Sequence, residues 1–91
     1  MKGGDPMLQF EYTIKDELGI HARPAGMLVK LATTFRSEIS IKKGDASANA
    51  KKLIGLMKLG IQKGDTAVFT IEGDDEVQAA EALQNFMQEN L

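Results

Sequence analysis

The sequence predicts an α+β fold of two layers, a four-stranded antiparallel sheet covered by helices on one side, in the order strand, helix, strand, strand, helix, strand, helix. Three observations carry this. Four stretches alternate apolar and polar residues with a period of two, three others repeat apolar residues at three-to-four spacing, and Gly44-Asp45, Gly64-Asp65 and Gly73 punctuate the junctions. The first six elements reproduce the split βαβ pattern.

Leu8, Phe10, Tyr12 and Ile14 alternate with Gln9, Glu11 and Thr13, which predicts a first strand with one buried face. A helix follows, with Ala25, Leu28, Val29 and Ala32 on one stripe and Lys30 opposite, fading at Thr33-Thr34 and leaving Phe35 as a core residue just beyond its end. Ile39 and Ile41 alternate with Glu38, Ser40 and Lys42; Gly44-Asp45 marks a tight turn, and Ala46 to Asn49 forms the short second arm of a hairpin. Lys51 to Lys58 carries Leu53, Leu56 and Met57 at helical spacing and stops near Gly60, a left-handed cap. Ala67, Phe69 and Ile71 alternate with Val68, Thr70 and Glu72 in a fourth strand covered on one face. After Gly73, Asp74 or Asp75 offers an N-cap, Glu76 suits the positive helix end, and Val77, Ala80, Leu83, Phe86 and Met87 line the stripe of a last helix. Met1 to Pro6 has no periodicity and ends before a second methionine; it is expected to be a leader foreign to the fold, with the native start at Met7.

Ninety-one residues suit one domain with a modest core and no deep catalytic cleft, so the molecule is expected to work through its surface. Without cysteine there is neither a disulfide framework nor a thiolate metal site, and a single histidine cannot build a histidine zinc cluster. A formal charge of −2 and 5% aromatic residues argue against a nucleic-acid binder, which needs a basic face and stacking platforms. No apolar run is long enough to span a membrane and no signal peptide is expected before the first strand, so a cytoplasmic protein without membrane insertion is the expectation.

The chemistry concentrates in Leu18-Gly19-Ile20-His21-Ala22-Arg23-Pro24-Ala25. Gly19 lets the chain turn, and Pro24 is tolerated only in the first turn of a helix, so His21 falls at a helix start. Free amides and the positive helix end make an anion site there, and Arg23 adds a forked, permanently charged partner for phosphate. A nucleophilic ring nitrogen beside these donors is what transient attachment of a phosphoryl group to His21 requires. The competing reading of a lone histidine at such a place is a cap or a surface residue.

The spelling Gly-Ile-His-Ala-Arg-Pro-Ala resembles the active-site signature of the HPr family, the histidine-containing phosphocarriers of the bacterial phosphoenolpyruvate-dependent sugar phosphotransferase system. The resemblance extends to Asn49-Ala50-Lys51, to Gly55-Leu56-Met57-Lys58-Leu59-Gly60 and to Gly73-Asp74-Asp75-Glu76, and so spans nearly everything from Met7 to Leu91. It implies an open-faced β-sandwich with three helices on one face. It also implies a stoichiometric carrier rather than an enzyme, with no cofactor. His21 would take phosphate from enzyme I on Nδ1 and pass it to the A-domains of sugar-specific enzymes II. Arg23 matches the neighbouring arginine, and its guanidinium, with the Ala22 and Arg23 amides, would supply donors to the phosphoryl oxygens. Ile54 and Met57 match the partner-docking face of the second helix, with Lys51 and Lys58 placed to steer acidic partners; helical spacing alone also allows Ile54 and Met57 to be core. Where many Gram-positive relatives carry a serine modified by an ATP-dependent kinase, this chain has Lys52, so that switch is not expected. Two alternatives stand beside this reading. One is a paralogue in a nitrogen-linked or regulatory relay; the other is an ACT-like or other ferredoxin-like module that binds a small ligand without chemistry at His21.

Overall fold

A computed structural model describes residues 7–91; the expected leader, residues 1–6, lies outside them. The elements are β1 (Met7–Thr13), α1 (Ala22–Ala32), β2 (Glu38–Lys43), β3 (Ala46–Asn49), α2 (Leu53–Lys58), β4 (Thr66–Glu72) and α3 (Glu76–Asn90). This is the predicted order.

The four strands form one antiparallel sheet in the spatial order β1-β4-β2-β3. β4 thus lies between β1 and β2, and β2 lies between β3 and β4, so both helical crossovers are split by a strand that pairs with each of the joined ones. Register follows from the period-two pattern. Phe10 pairs with Phe69 and Leu8 with Ile71 across β1 and β4, and Ile39 with Ile71 and Ile41 with Phe69 across β2 and β4, which places these side chains on one face. The Phe10 and Phe69 rings stack with centroids 4.7 Å apart and 6° between planes. The opposite face carries Gln9, Glu11, Thr13, Ser40, Lys42, Thr66 and Thr70 and is left without a covering layer, as the strands' alternation predicts.

α3 packs across β1 and β4, α2 packs on β3, and α1 packs against both other helices. The core they close contains Leu28, Ile39, Ile41, Leu56, Phe69, Ile71, Leu83 and Met87. Removing a Leu or Phe side chain of this kind from water is worth about 1.5–3 kcal/mol. Gly44 takes φ +58 in the two-residue hairpin connection, and Gly60, at φ +60, supplies the expected left-handed end of α2.

Four side chains depart from the sequence pattern. Val77 is 67% exposed, whereas Ala79 is buried. At about 100° per residue, Val77 lies roughly 120° around α3 from Leu83, outside the arc that Ala79, Ala80, Phe86 and Met87 share with it. In α2, only six residues long, Leu56 alone reaches the core, while Leu53 and Met57 on its flanks are exposed. Phe35 is half-buried and packs against the edge of the core rather than inside it.

Asp75 stands at the N-cap position of α3 but its carboxylate does not bond that helix. It accepts from the Arg36 amide (2.9 Å), the Ser37 amide (3.0 Å) and the Ser37 hydroxyl (2.5 Å). Ser37 is buried, so its polar groups need a partner, and that demand outweighs the cap. The same junction requires Gly73, where a Cβ would stand 2.6 Å from Ser37 Cα.

Candidate functional site

The loop from Ile14 to His21 is fastened at several points before α1 begins. The Lys15 and Asp16 amides both donate to the Leu91 carbonyl (2.7 and 2.9 Å), which brings the end of α3 beside this loop. The Ile20 amide donates to the Ile61 carbonyl at 2.9 Å. Gly19 sits between them at φ +66, with the backbone of Ile61 and Gln62 so close that a Cβ would meet Ile61 O at 2.4 Å. Glycine is therefore needed here for close approach as well as for the turn.

His21 is the N-cap residue of α1, with extended backbone, and its side chain makes no capping bond. Its carbonyl accepts the Ala25 amide at 2.9 Å, closing the first helical turn. Pro24 in that turn has no N–H to satisfy. Among the described residues the Ala22 and Arg23 amides have no protein acceptor, so both remain available to an anion at the positive helix end. The imidazole is 39% exposed, and its Nε2 lies 3.9 Å from Asp16 Oδ2. Arg23 is exposed and, among the described residues, has no carboxylate oxygen within 4.0 Å.

His21, Arg23, Pro24 and Met27 form one side of an open groove of about 310 Å³, and Glu89 and Asn90 from the last turn of α3 form the other. His21, Ala22 and Arg23 thus stand together at the start of α1, and Asp16 and Glu89, which the sequence did not single out, lie beside them. Asp16 left a trace, since Asp-x-x-Gly is a turn signature; Glu89 left none, being almost seventy positions away.

The other residues singled out from the sequence lie on α2 or just before it, and α2 packs against α1. Ile54 is 73% exposed and Met57 40%, so neither is a core residue. Lys52 is the N-cap of α2 with no side-chain capping bond. Lys51 is occupied structurally: its Nζ donates to the Phe35 carbonyl at 2.8 Å, tying the segment before α2 to the α1–β2 connection. Lys58 remains exposed. No metal-binding cluster and no helix long and apolar enough to cross a membrane occur among the described residues.

Fold and site together define a class: small open-faced sandwiches that present one histidine at a helix start, next to an arginine. The family model described as the HPr component phosphorylation site of the phosphotransferase system matches residues 8–89. The chain is 43% identical over 79 residues to the phosphocarrier protein HPr of Lysinibacillus sphaericus, covering 87% of this chain and 90% of that one. It is 42% identical over 82 residues to the HPr-like protein Crh of Halalkalibacterium halodurans, covering 90% and 98%. The crystal structure of HPr from Bacillus anthracis superposes with a TM-score of 0.86 at 36% identity, over 92% of this chain and all of the other. The chain belongs to the HPr family of phosphocarrier proteins.

Proposed function

We propose that residues 7–91 act as one stoichiometric phosphocarrier in the cytoplasm: His21 accepts a phosphoryl group from phospho-enzyme I and hands it to the A-domains of sugar-specific enzymes II. The observation that carries this is the start of α1, where a half-exposed imidazole stands beside the Ala22 and Arg23 amides, which have no acceptor among the described residues, and where Arg23, with no carboxylate partner among them, lines the same groove as His21. In the transfer, the Nδ1 lone pair of His21 attacks phosphorus, the donor's bond to phosphorus breaks as the N–P bond forms, and the ring keeps its proton on Nε2. The Ala22 and Arg23 amides and the Arg23 guanidinium then serve the three phosphoryl oxygens. An open groove suits a relay, because holding the group too tightly would slow its departure.

Ile54 and Met57 are the docking residues in this reading, supported by their exposure on a helix packed against α1. Lys58 is exposed there and, among the described residues, makes no salt bridge, whereas Lys51 is engaged with Phe35. Lys52 at the N-cap of α2 leaves the carrier without the serine switch, since an ammonium cannot take a phosphate ester. A second reading, a carrier of a regulatory relay with the same histidine chemistry and other partners, draws on the nearly equal identity to the HPr-like protein Crh.

The test is incubation of the full chain with phosphoenolpyruvate and enzyme I, read by intact mass. The expected result is one acid-labile phosphoryl group per chain that leaves when an A-domain of a sugar-specific enzyme II is added. No adduct would overturn the proposal; an adduct that only a nitrogen-branch A-domain discharges would favour the second reading.

A further inference from the structure

The carboxylate beside the imidazole has a geometry that the acceptor role alone does not use. Asp16 Oδ2 accepts the Leu18 amide at 3.0 Å, and the Asp16 backbone is held on both sides, its N–H by the Leu91 carbonyl (2.9 Å) and its carbonyl by the Gly19 amide (3.0 Å). The carboxylate is therefore fixed rather than free to swing. That same Oδ2 lies 3.9 Å from Nε2 of His21. Arg23 and Glu89 are the other charged residues that line the groove with His21.

We propose that Asp16 is a positioning residue that keeps the His21 ring in its Nε2–H form and so leaves Nδ1 as the nucleophilic nitrogen. The proposal deepens the phosphocarrier reading and rests on it. A carboxylate held near one ring nitrogen favours the tautomer with the proton on that side, because the N–H dipole then points at the negative charge. When Nδ1 bonds to phosphorus while Nε2 keeps its proton, the ring gains a full positive charge next to Asp16. The retained proton also serves the onward step: as the phosphoryl group leaves Nδ1, the ring departs as neutral imidazole, whereas without that proton it would depart as imidazolate, a much poorer leaving group.

The experiment compares the full chain with D16N by long-range nitrogen–proton correlation of the His21 ring at a pH where the imidazole is neutral. Asparagine keeps an oxygen for the Leu18 amide, so the turn survives and only the charge is lost. The expected result is a rise of about twofold or more in the Nδ1–H share, and a fall of about fivefold in the rate of phosphoryl acceptance, the factor for a unit charge about 4 Å away in a water-like dielectric. D16E, which restores the charge, should recover part of both. An unchanged tautomer ratio in D16N would overturn the inference. Should the wild-type chain take no phosphoryl group at all, the phosphocarrier reading fails while the tautomer ratio still decides the role of Asp16.

Discussion

Replacing Gly19 with alanine should be among the most damaging single-atom changes in the chain, and the structure separates its cost into two parts. The first is conformational: Gly19 holds φ +66, a region that costs an L-residue about 1–2 kcal/mol. The second is steric: the new Cβ would stand 2.4 Å from Ile61 O and 2.7 Å from Gln62 Cα, both backbone atoms that cannot rotate away. The two segments must separate, and the Ile20 N–H to Ile61 carbonyl bond is lost with them, a further loss of about 0.5–1.5 kcal/mol. Gly44 provides the control, since its φ is +58 but a Cβ there meets nothing within 4 Å. Urea and thermal unfolding should therefore show Gly44→Ala losing about 1–2 kcal/mol. Gly19→Ala should lose about 1.5–3.5 kcal/mol from the strained φ and the lost hydrogen bond alone, or roughly 6–28 °C in Tm for a domain of this size. Because Gly19 sits two residues before His21, its substitution should also shift the His21 ring resonances, while Gly44→Ala leaves them in place. Equal destabilisation by the two alanines would refute the steric half of this reasoning.

Arg23→Lys keeps the charge but loses the fork, so the phosphotransfer rate should fall by the equivalent of about 1–3 kcal/mol with little change in melting temperature; transfer kinetics at the wild-type rate would count against its role. Ile54→Ala should weaken binding to enzyme I, measured by titration calorimetry, while changing stability by less than about 0.5 kcal/mol, as expected of a surface position. Asp75 gives a pH prediction: the Ser37 hydroxyl first, then the Arg36 amide, hold its carboxyl down to about 2 from an ordinary 3.8. The unfolded chain takes up that proton first, so stability present above about pH 4 is lost as pH falls toward 2, and Asp75→Asn should flatten that part of the acid limb measured by urea melts at stepped pH.

The sheet was legible because β2 and β4 bury one face, which writes itself into the sequence as strict alternation; β4, with Ala67, Phe69 and Ile71 inward, is the plainest case. Helix faces were read less well where a row of residues three apart drifts around the helix, as at Val77, or where a six-residue helix has room for one buried side chain, as at Leu56. Asp75 was expected at a helix cap on local grounds, and a buried serine from a distant segment claimed its carboxylate instead. The same division holds at the site. His21, Ala22 and Arg23 are neighbours in the chain, and local rules brought them to one helix start. Glu89 and Asn90 reach the groove only because α3 packs across β1 and ends where Leu91 accepts two amides of the β1–α1 loop, contacts that no local pattern encodes.

The central claim, that His21 carries the phosphoryl group on Nδ1, is tested most directly by phosphorus and nitrogen NMR of the chain after charging with phosphoenolpyruvate and enzyme I. The account predicts a single phosphorus signal coupled to Nδ1 of His21, absent from a His21→Ala variant that melts within a few degrees of wild type because the ring is half-exposed and makes no capping bond. A phosphoryl group on Nε2, or one that persists on the His21→Ala chain, would contradict it.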